Sequence, residues 1–391
     1  MTETMKSLHV IASLDPKMGG PVEGLKQLAK ALEARGVEIE IVCCDPPDAP
    51  WLTEFDFIRI HALGPARFGY HYTSKLVPWL KAKAKNYNAV IVEGLWQYHS
   101  FAVWRALRGT QTPYFVFTHG MLDPWFKKAY PLKHLKKWLY WPWAEYRTMR
   151  DAEAVLFTCE EERLLARDSF WLYKARESVV SYGTGLPPQN AEELTAIFYK
   201  TYPALRGKRI FLFLSRIHPK KGCDLLLNAF AERAQENKDL HLVMAGPDQT
   251  GWGAKLREQA KKLGIAERIT WTGILQGDRK WGAFYASEVF CLPSHQENFG
   301  IVVAEALACG KPVLISNRVN IWREIETDSV GLIEADTEAG TRRLLQRWLE
   351  TSEEDKRKMR ENTKKCFLAR FHIDSVADNL VRVINQASIQ D

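Results

Sequence analysis

Nowhere in the 391 residues does an apolar run approach the roughly 18 that a membrane-spanning helix needs. The short apolar stretch near the start, "LHVIASLD", is interrupted by Asp15 and reads as a first strand, not as a signal peptide. Low-complexity tracts and fixed-period repeats are missing, so neither a disordered chain nor a solenoid is expected. Cysteine is sparse: seven residues, Cys43, Cys44, Cys159, Cys223, Cys291, Cys309 and Cys366, scattered mostly through apolar runs such as "EVFCLPS". With no C-x-x-C and no Cys/His ligand spacing, neither a disulfide framework nor a structural zinc site is expected. Reduced, buried thiols in a cytoplasmic protein fit best.

What is present is an ordinary globular composition, and a length that one hydrophobic core rarely serves, so two units are expected. Short β-branched runs recur between helical patterns, the signal for β-α units around a parallel sheet buried on both faces. In the first half the strands read as Leu8 to Ser13, Val37 to Val42, Phe57 to His61, Ala89 to Val92, Tyr114 to Thr118, Ala154 to Phe157 and Ser178 to Ser181. After "GGP", Val22, Leu25, Leu28, Ala29 and Leu32 recur at helical spacing until Gly36. The pattern breaks around "TGLPPQN". A second β-α series then runs through Ile210 to Leu214, His241 to Met244, Ile269 to Trp271, Glu288 to Leu292, Pro312 to Ile315 and Gly331 to Ile333. The expected architecture is α/β: two Rossmann-like, doubly wound lobes, residues 1–190 and 208–370, joined by a linker at 191–207. An amphipathic helix at 371–391 crosses back to the first lobe. Such sheets bind ligands beyond the C-terminal ends of their strands.

Three stretches carry chemistry. In "CLPSHQENFGIVVAEALACGKPV" a strand ends at Leu292, and a helix is expected to begin near Asn298 or Phe299, offering free N–H groups to an anion. Glu297 precedes that helix and Glu305 lies within it, up to about 12 Å further along the axis at about 1.5 Å per residue. The spacing suits a diphosphate with one carboxylate at a sugar and the other at a ribose. In "FLFLSRIHPKKGCDLLLNAF", Arg216 and Lys221 put two cations at a strand-to-helix turn, with Lys220 as a competitor. In the first half, "DPKMGGPVEGL" and "YFVFTHGMLDPW" place Gly19, Gly20 and His119 just beyond strands.

The "PS…E.FG…EA.A.G.PV" pattern and its E-x7-E pair, Glu297 and Glu305, resemble the retaining glycosyltransferases of family 4, which share the GT-B fold. The resemblance is strong from Ile210 to Ser316 and thinner in the first lobe. It implies a donor cleft between an acceptor-side first lobe and a nucleotide-sugar-binding second lobe. By this resemblance Glu297 holds donor-sugar hydroxyls, Asn298, Phe299 and Gly300 supply backbone contacts, Glu305 holds the ribose, and Arg216 and Lys221 bind the phosphates. Gly246 and Leu275, in "VMAGPDQTG" and "TWTGILQGD", would lie near the nucleotide. Gly19 and Gly20 would lie over the phosphates, and His119 beside the sugar. One departure stands out: where relatives have an "NGVD"-like turn, this chain has "SYGTGLP".

The implied activity is retaining transfer of a hexose from a UDP- or GDP-sugar to a glycan or lipid-linked saccharide in polysaccharide biosynthesis. Alternatives are a GT-B epimerase and a non-catalytic nucleotide-sugar-binding assembly factor. No D-x-D occurs, so neither metal nor other cofactor is expected. The formal charge of +7 is concentrated: Lys127 to Arg150 holds seven basic residues against Glu145, interleaved with Trp and Tyr. This stretch, with Trp125 and Phe126 before it, reads either as peripheral contact with an anionic membrane through 125–150, at the inner face, or as packing with solvated lysines. No nucleic-acid motif accompanies the charge.

Overall fold

The computed structural model of the chain describes residues 4–388. They form two compact units: residues up to Gly185 joined by those from Ile373 onward, and Leu186–His372. All thirteen expected strands are present, most with ends shifted by one or two residues. In the first unit β1 (Lys6–Ile11), β2 (Glu38–Cys43), β3 (Arg59–Ala62), β4 (Ala89–Glu93), β5 (Tyr114–Phe117), β6 (Ala154–Phe157) and β7 (Glu177–Val179) form one sheet. Its order is β3-β2-β1-β4-β5-β6-β7. The second contains β8 (Arg209–Leu214), β9 (Leu240–Ala245), β10 (Ile269–Gly273), β11 (Val289–Leu292), β12 (Val313–Ser316) and β13 (Gly331–Glu334), ordered β10-β9-β8-β11-β12-β13. Every strand pair is parallel. Strand order reverses between β1 and β4 and between β8 and β11, the switch points where doubly wound sheets take ligands.

Burial on both faces explains the near-continuous apolar strands. Along β4, Val90 and Val92 join one core with Leu76, Leu80, Ala102 and Val103. Ala89 and Ile91 point into the other, with Leu25, Leu28, Ala29 and Leu32 of helix Gly20–Glu33. The C-terminal helix Ile373–Ser388 belongs to that second core through Val376, Ala377, Leu380 and Ile384. Arg35 pins it further, its guanidinium meeting Asp378 at 2.5 Å and Asp374 at 3.0 Å. The Ile373 N–H donates to the Thr184 carbonyl at 3.0 Å, where the chain re-enters the first unit.

Two expectations are corrected. Residues 191–207, read as a linker, open with helix Ala191–Thr201, which buries Leu194 and Phe198 and packs on helix Gly277–Ala286 of the second unit. Gly282 permits that close crossing, because a Cβ there would lie 2.2 Å from the Leu194 carbonyl oxygen. The helix expected from Asn298 or Phe299 begins at Ile301 and runs to Ala308. Gly300, at φ +76°, holds the preceding residues in a turn.

Candidate active site

In the second unit the functional candidates stand where sheet geometry predicts, beyond the strand ends. After β8, Arg216 is exposed and makes no ion pair or side-chain hydrogen bond among the described residues, whereas Lys221 is buried. Lys221 ends a short 3-10 turn, Pro219–Lys221, and Gly222 follows with φ +64°. A Cβ at 222 would meet the Pro293 carbonyl oxygen at 2.0 Å, so glycine is required for the β8 turn to pass the β11 turn. That passage brings the Lys221 ammonium onto the Glu297 carboxylate as an ion pair. The sequence placed the two residues in separate motifs; the fold makes them one unit. A buried ammonium without a partner would be costly, and Glu297 supplies one.

Glu297 is held through its backbone, its N–H donating to the Arg318 carbonyl at 2.9 Å and its carbonyl accepting from Asn320 N–H at 3.0 Å. Phe299 turns its ring into the core, edge-on to Phe371 at 5.5 Å. Glu305 is buried within helix Ile301–Ala308. Its Oε1 accepts from Lys280 Nζ at 2.5 Å, while Oε2 is buried without a hydrogen-bond partner among the described residues. Burial raises its pKa above the usual carboxylate value, and Lys280 opposes the shift. An unsatisfied acceptor inside a protein is rare and suits a ligand hydroxyl. Lys280 was missed in the sequence, where it is one more charge on an ordinary amphipathic helix.

Gly246, with φ +143°, crosses so near β8 that a Cβ would fall 1.8 Å from the Ser215 carbonyl oxygen. It lines a cavity of 300 Å³ with Ile217, Met244, Arg257, Trp271 and Ile274. Leu275 is buried and lies outside that lining.

The first unit holds the remaining candidates. Gly19, at φ +81°, caps helix Gly20–Glu33. The Gly20 carbonyl accepts from the Tyr182 hydroxyl. At Gly20 itself neither backbone angle nor space demands glycine. His119 follows β5 with φ +48°, and its Nε2 meets Glu93 Oε2 at 2.6 Å. The other oxygen of Glu93 meets Nδ1 of buried His9 at 2.7 Å. Burial pushes the Glu93 pKa up, but the hydrogen bonds from His119 and His9 prevail and hold it at about 2. Glu93 and His9 were missed, although a charge ending the apolar run "AVIVE" was a legible signal.

The basic aromatic stretch resolves into two faces of helix Pro131–Tyr140. His134 stacks on Phe170 at 5.0 Å, Lys137 lies 4.4 Å from the Trp96 ring, and Tyr140 reaches the Tyr70 hydroxyl. Just after the helix, fully buried Trp141 stacks on Phe170 at 4.3 Å. The outer face carries Leu132, Leu135, Leu139 and then Trp143, which are 79%, 55%, 61% and 68% exposed. The leucines therefore do not pack on the first unit, contrary to the packing reading.

Comparison with known proteins divides the chain as its sheets do. The family described as "Glycosyl transferase 4-like domain" matches residues 19–183, and "Glycosyl transferases group 1" matches 200–366. The chain belongs to the family 4 glycosyltransferases. Among curated members, the D-inositol 3-phosphate glycosyltransferase of Rhodococcus jostii is 36% identical over 129 residues, 32% of this chain and 28% of that protein. Its counterpart from Mycolicibacterium gilvum is 40% identical over 109 residues, 27% of this chain and 24% of that protein. The matched segments thus span under a third of those relatives. Whole-chain likeness comes from solved structures. A sucrose-phosphate synthase from Thermosynechococcus elongatus has a TM-score of 0.74 at 20% identity, covering 99% of this chain and 100% of that one. Anabaena HepE, in complex with UDP and glucose, has a TM-score of 0.73 at 17% identity, covering 97% and 99%. These two establish the GT-B fold.

Proposed function

We propose that the protein transfers a hexose, with retention, from a UDP- or GDP-sugar to a hydroxyl of a glycan or lipid-linked saccharide in polysaccharide biosynthesis. The observation that carries this reading is the C-terminal end of the second sheet's central strands: an Arg216 and a Glu305 oxygen without partners among the described residues, and the Lys221–Glu297 pair, contributed by the segments that follow neighbouring β8 and β11. Arg216 and Lys221 neutralise the departing diphosphate, and Glu297 orients the sugar. Glu305 takes a ribose hydroxyl, with Lys280 as its counter-charge. Backbone groups of Asn298, Phe299 and Gly300 approach the donor, and the 300 Å³ cavity beside Gly246 takes the base. Leu275 supports that region by packing. From the first unit, Gly19 and Gly20 bear on the phosphates and His119 on the sugar. No carboxylate is assigned as covalent nucleophile; a phosphate oxygen takes the acceptor proton. The reading assigns charge neutralisation to Arg216, Lys221 and the N–H groups at the start of helix Ile301–Ala308, with no metal, so turnover withstands EDTA.

A thermal-shift screen of nucleotide sugars, followed by turnover in Lys221→Ala and Glu297→Ala, tests this. A ligand that binds only the folded state raises the melting point. Near-normal turnover in either variant sinks the assignment. Donor conversion without acceptor identifies an epimerase. Donor binding with neither hydrolysis nor transfer, whatever acceptor is offered, identifies an assembly factor.

A specific observation adds a surface. Among the described residues no helix is long and apolar enough to cross a membrane. Helix Pro131–Tyr140 nevertheless turns its leucines outward, its exposed Lys133 and Lys136 lie beside them, and the sequence has no acidic residue between Asp123 and Glu145. Trp138 meets the exposed Trp171 at 6.2 Å and extends the patch. Apolar side chains rimmed by Trp and Lys suit an anionic bilayer, in which this helix lies flat in the headgroup layer. Co-sedimentation with phosphatidylglycerol vesicles, weakened by salt and by Leu135→Glu with Leu139→Glu, is the expected result. Equal binding of the variant rejects it.

A further inference from the structure

The buried groups around His119 go beyond the assigned site and fix which of its atoms faces a substrate. Glu93 ends β4, the strand beside β1 at the switch point, and both its oxygens are occupied: Oε1 by His9 Nδ1 at 2.7 Å and Oε2 by His119 Nε2 at 2.6 Å. A carboxylate only accepts, so each imidazole must present an N–H to it. His9 is fully buried, and its Nε2 has no partner among the described residues. His119 differs. Its Nδ1 makes no hydrogen bond among the described residues and is not sealed in the core as His9 Nε2 is.

The surrounding loop is built to keep that orientation. Positive φ is strained for a residue with a side chain, and His119 sits at +48°. Buried Glu162 clamps the loop on both sides: its Oε1 accepts from the Thr118 hydroxyl and the Gly120 N–H, each at 2.5 Å. Its Oε2 accepts from Thr158 N–H at 2.7 Å. The His119 ring stacks on Phe117 at 4.9 Å, and Tyr182 stands edge-on at 6.2 Å. Tyr182 in turn reaches the Gly20 carbonyl and fills the space beside Gly24, where a Cβ would lie 1.8 Å from its hydroxyl. One carboxylate thus sets the ring and another sets the backbone.

We infer that Glu93 is a positioning residue that locks His119 with its proton on Nε2 and presents Nδ1 to the donor sugar, with His9 fixing Glu93 in turn. The inference rests on the proposed role of His119, and its tests separate the two.

In protein labelled with 15N-histidine, with the His119 signals identified by their loss in His119→Gln, the donor-free enzyme shows Nε2 protonated. An Nδ1-protonated neutral ring overturns the inference without any variant having to fold. In Glu93→Gln the amide can satisfy only one imidazole N–H, so the His119 pattern changes. UDP release from UDP-glucose, or GDP release from GDP-mannose as second probe, falls in kcat by roughly 10- to 100-fold, the range seen when a metal-bound histidine loses the partner that orients it, with little change in KM. An unchanged 15N pattern together with unchanged kcat refutes the lock. Normal turnover in His119→Ala refutes the underlying role of His119, and the inference with it.

Discussion

Two glutamates with raised pKa values mark opposite uses of burial. Glu305 is shifted upward by its buried position in helix Ile301–Ala308, and one oxygen lacks a partner among the described residues. Glu305→Gln keeps the shape and removes the charge. We expect it to melt no lower than the parent near pH 7.5, while UDP binding weakens by about tenfold, the worth of one hydrogen bond to a charged group. Undiminished affinity in isothermal titration would free Glu305 from the ribose role. Glu145 accepts from Trp96 N–H at 2.5 Å and the Ser100 hydroxyl at 2.8 Å, yet its other oxygen is buried without a partner among the described residues. Burial drives its pKa up to about 7, against the pull of those donors and of Lys137. The folded state therefore binds a proton that the unfolded chain has lost at intermediate pH. Stability from this group is full below about 4.5 and is lost as pH rises through about 7. Relative to the parent, Glu145→Gln should gain roughly 1–3 kcal/mol between pH 5 and pH 8 in urea unfolding. A difference that does not vary with pH contradicts this.

At the level of elements, the alternation of apolar runs and turns made all thirteen strands legible, because parallel strands buried on both faces leave a signal that survives in one sequence. The Lys221–Glu297 pair was not legible, although both residues were. Their meeting depends on β8 and β11 being neighbours, and on glycine at 222 letting the two turns touch. His9 and Glu93 share that fate, since β1 and β4 are adjacent only in the folded sheet. The helix at 191–201 was missed for another reason: its packing partner lies some 80 residues on, and Pro-rich neighbours suggested a tether. Gly246 shows what a strand crossing demands. Its Ala variant would place Cβ 1.8 Å from the Ser215 carbonyl oxygen at a φ that side chains avoid. We expect a loss of about 3 kcal/mol or more in the second unit, and a melting point within two degrees or so of the parent would contradict it. Leu380 of the C-terminal helix is fully buried against the rest of the first unit, so Leu380→Ala should cost about 2–5 kcal/mol there by leaving a cavity.

Across the whole molecule, the groups proposed for the donor are divided between the two compact units. Arg216, Lys221, Gly246, Lys280, Glu297 and Glu305 belong to the second, while Gly19, Gly20, His9, Glu93 and His119 belong to the first. Ligand-dependent protection from amide hydrogen exchange reads the two sets separately, because exchange is slowed wherever a ligand suppresses local opening. UDP alone should protect the turns after β8, β9 and β11, near residues 215–222, 246–253 and 298–305, and the phosphate-side turn at 18–24. A complete nucleotide sugar should add protection at residues 118–121. The increment belongs to the sugar, and it should shrink in Glu93→Gln if that carboxylate holds the histidine in place. Should UDP protect only the first unit, the nucleotide has been assigned to the wrong sheet.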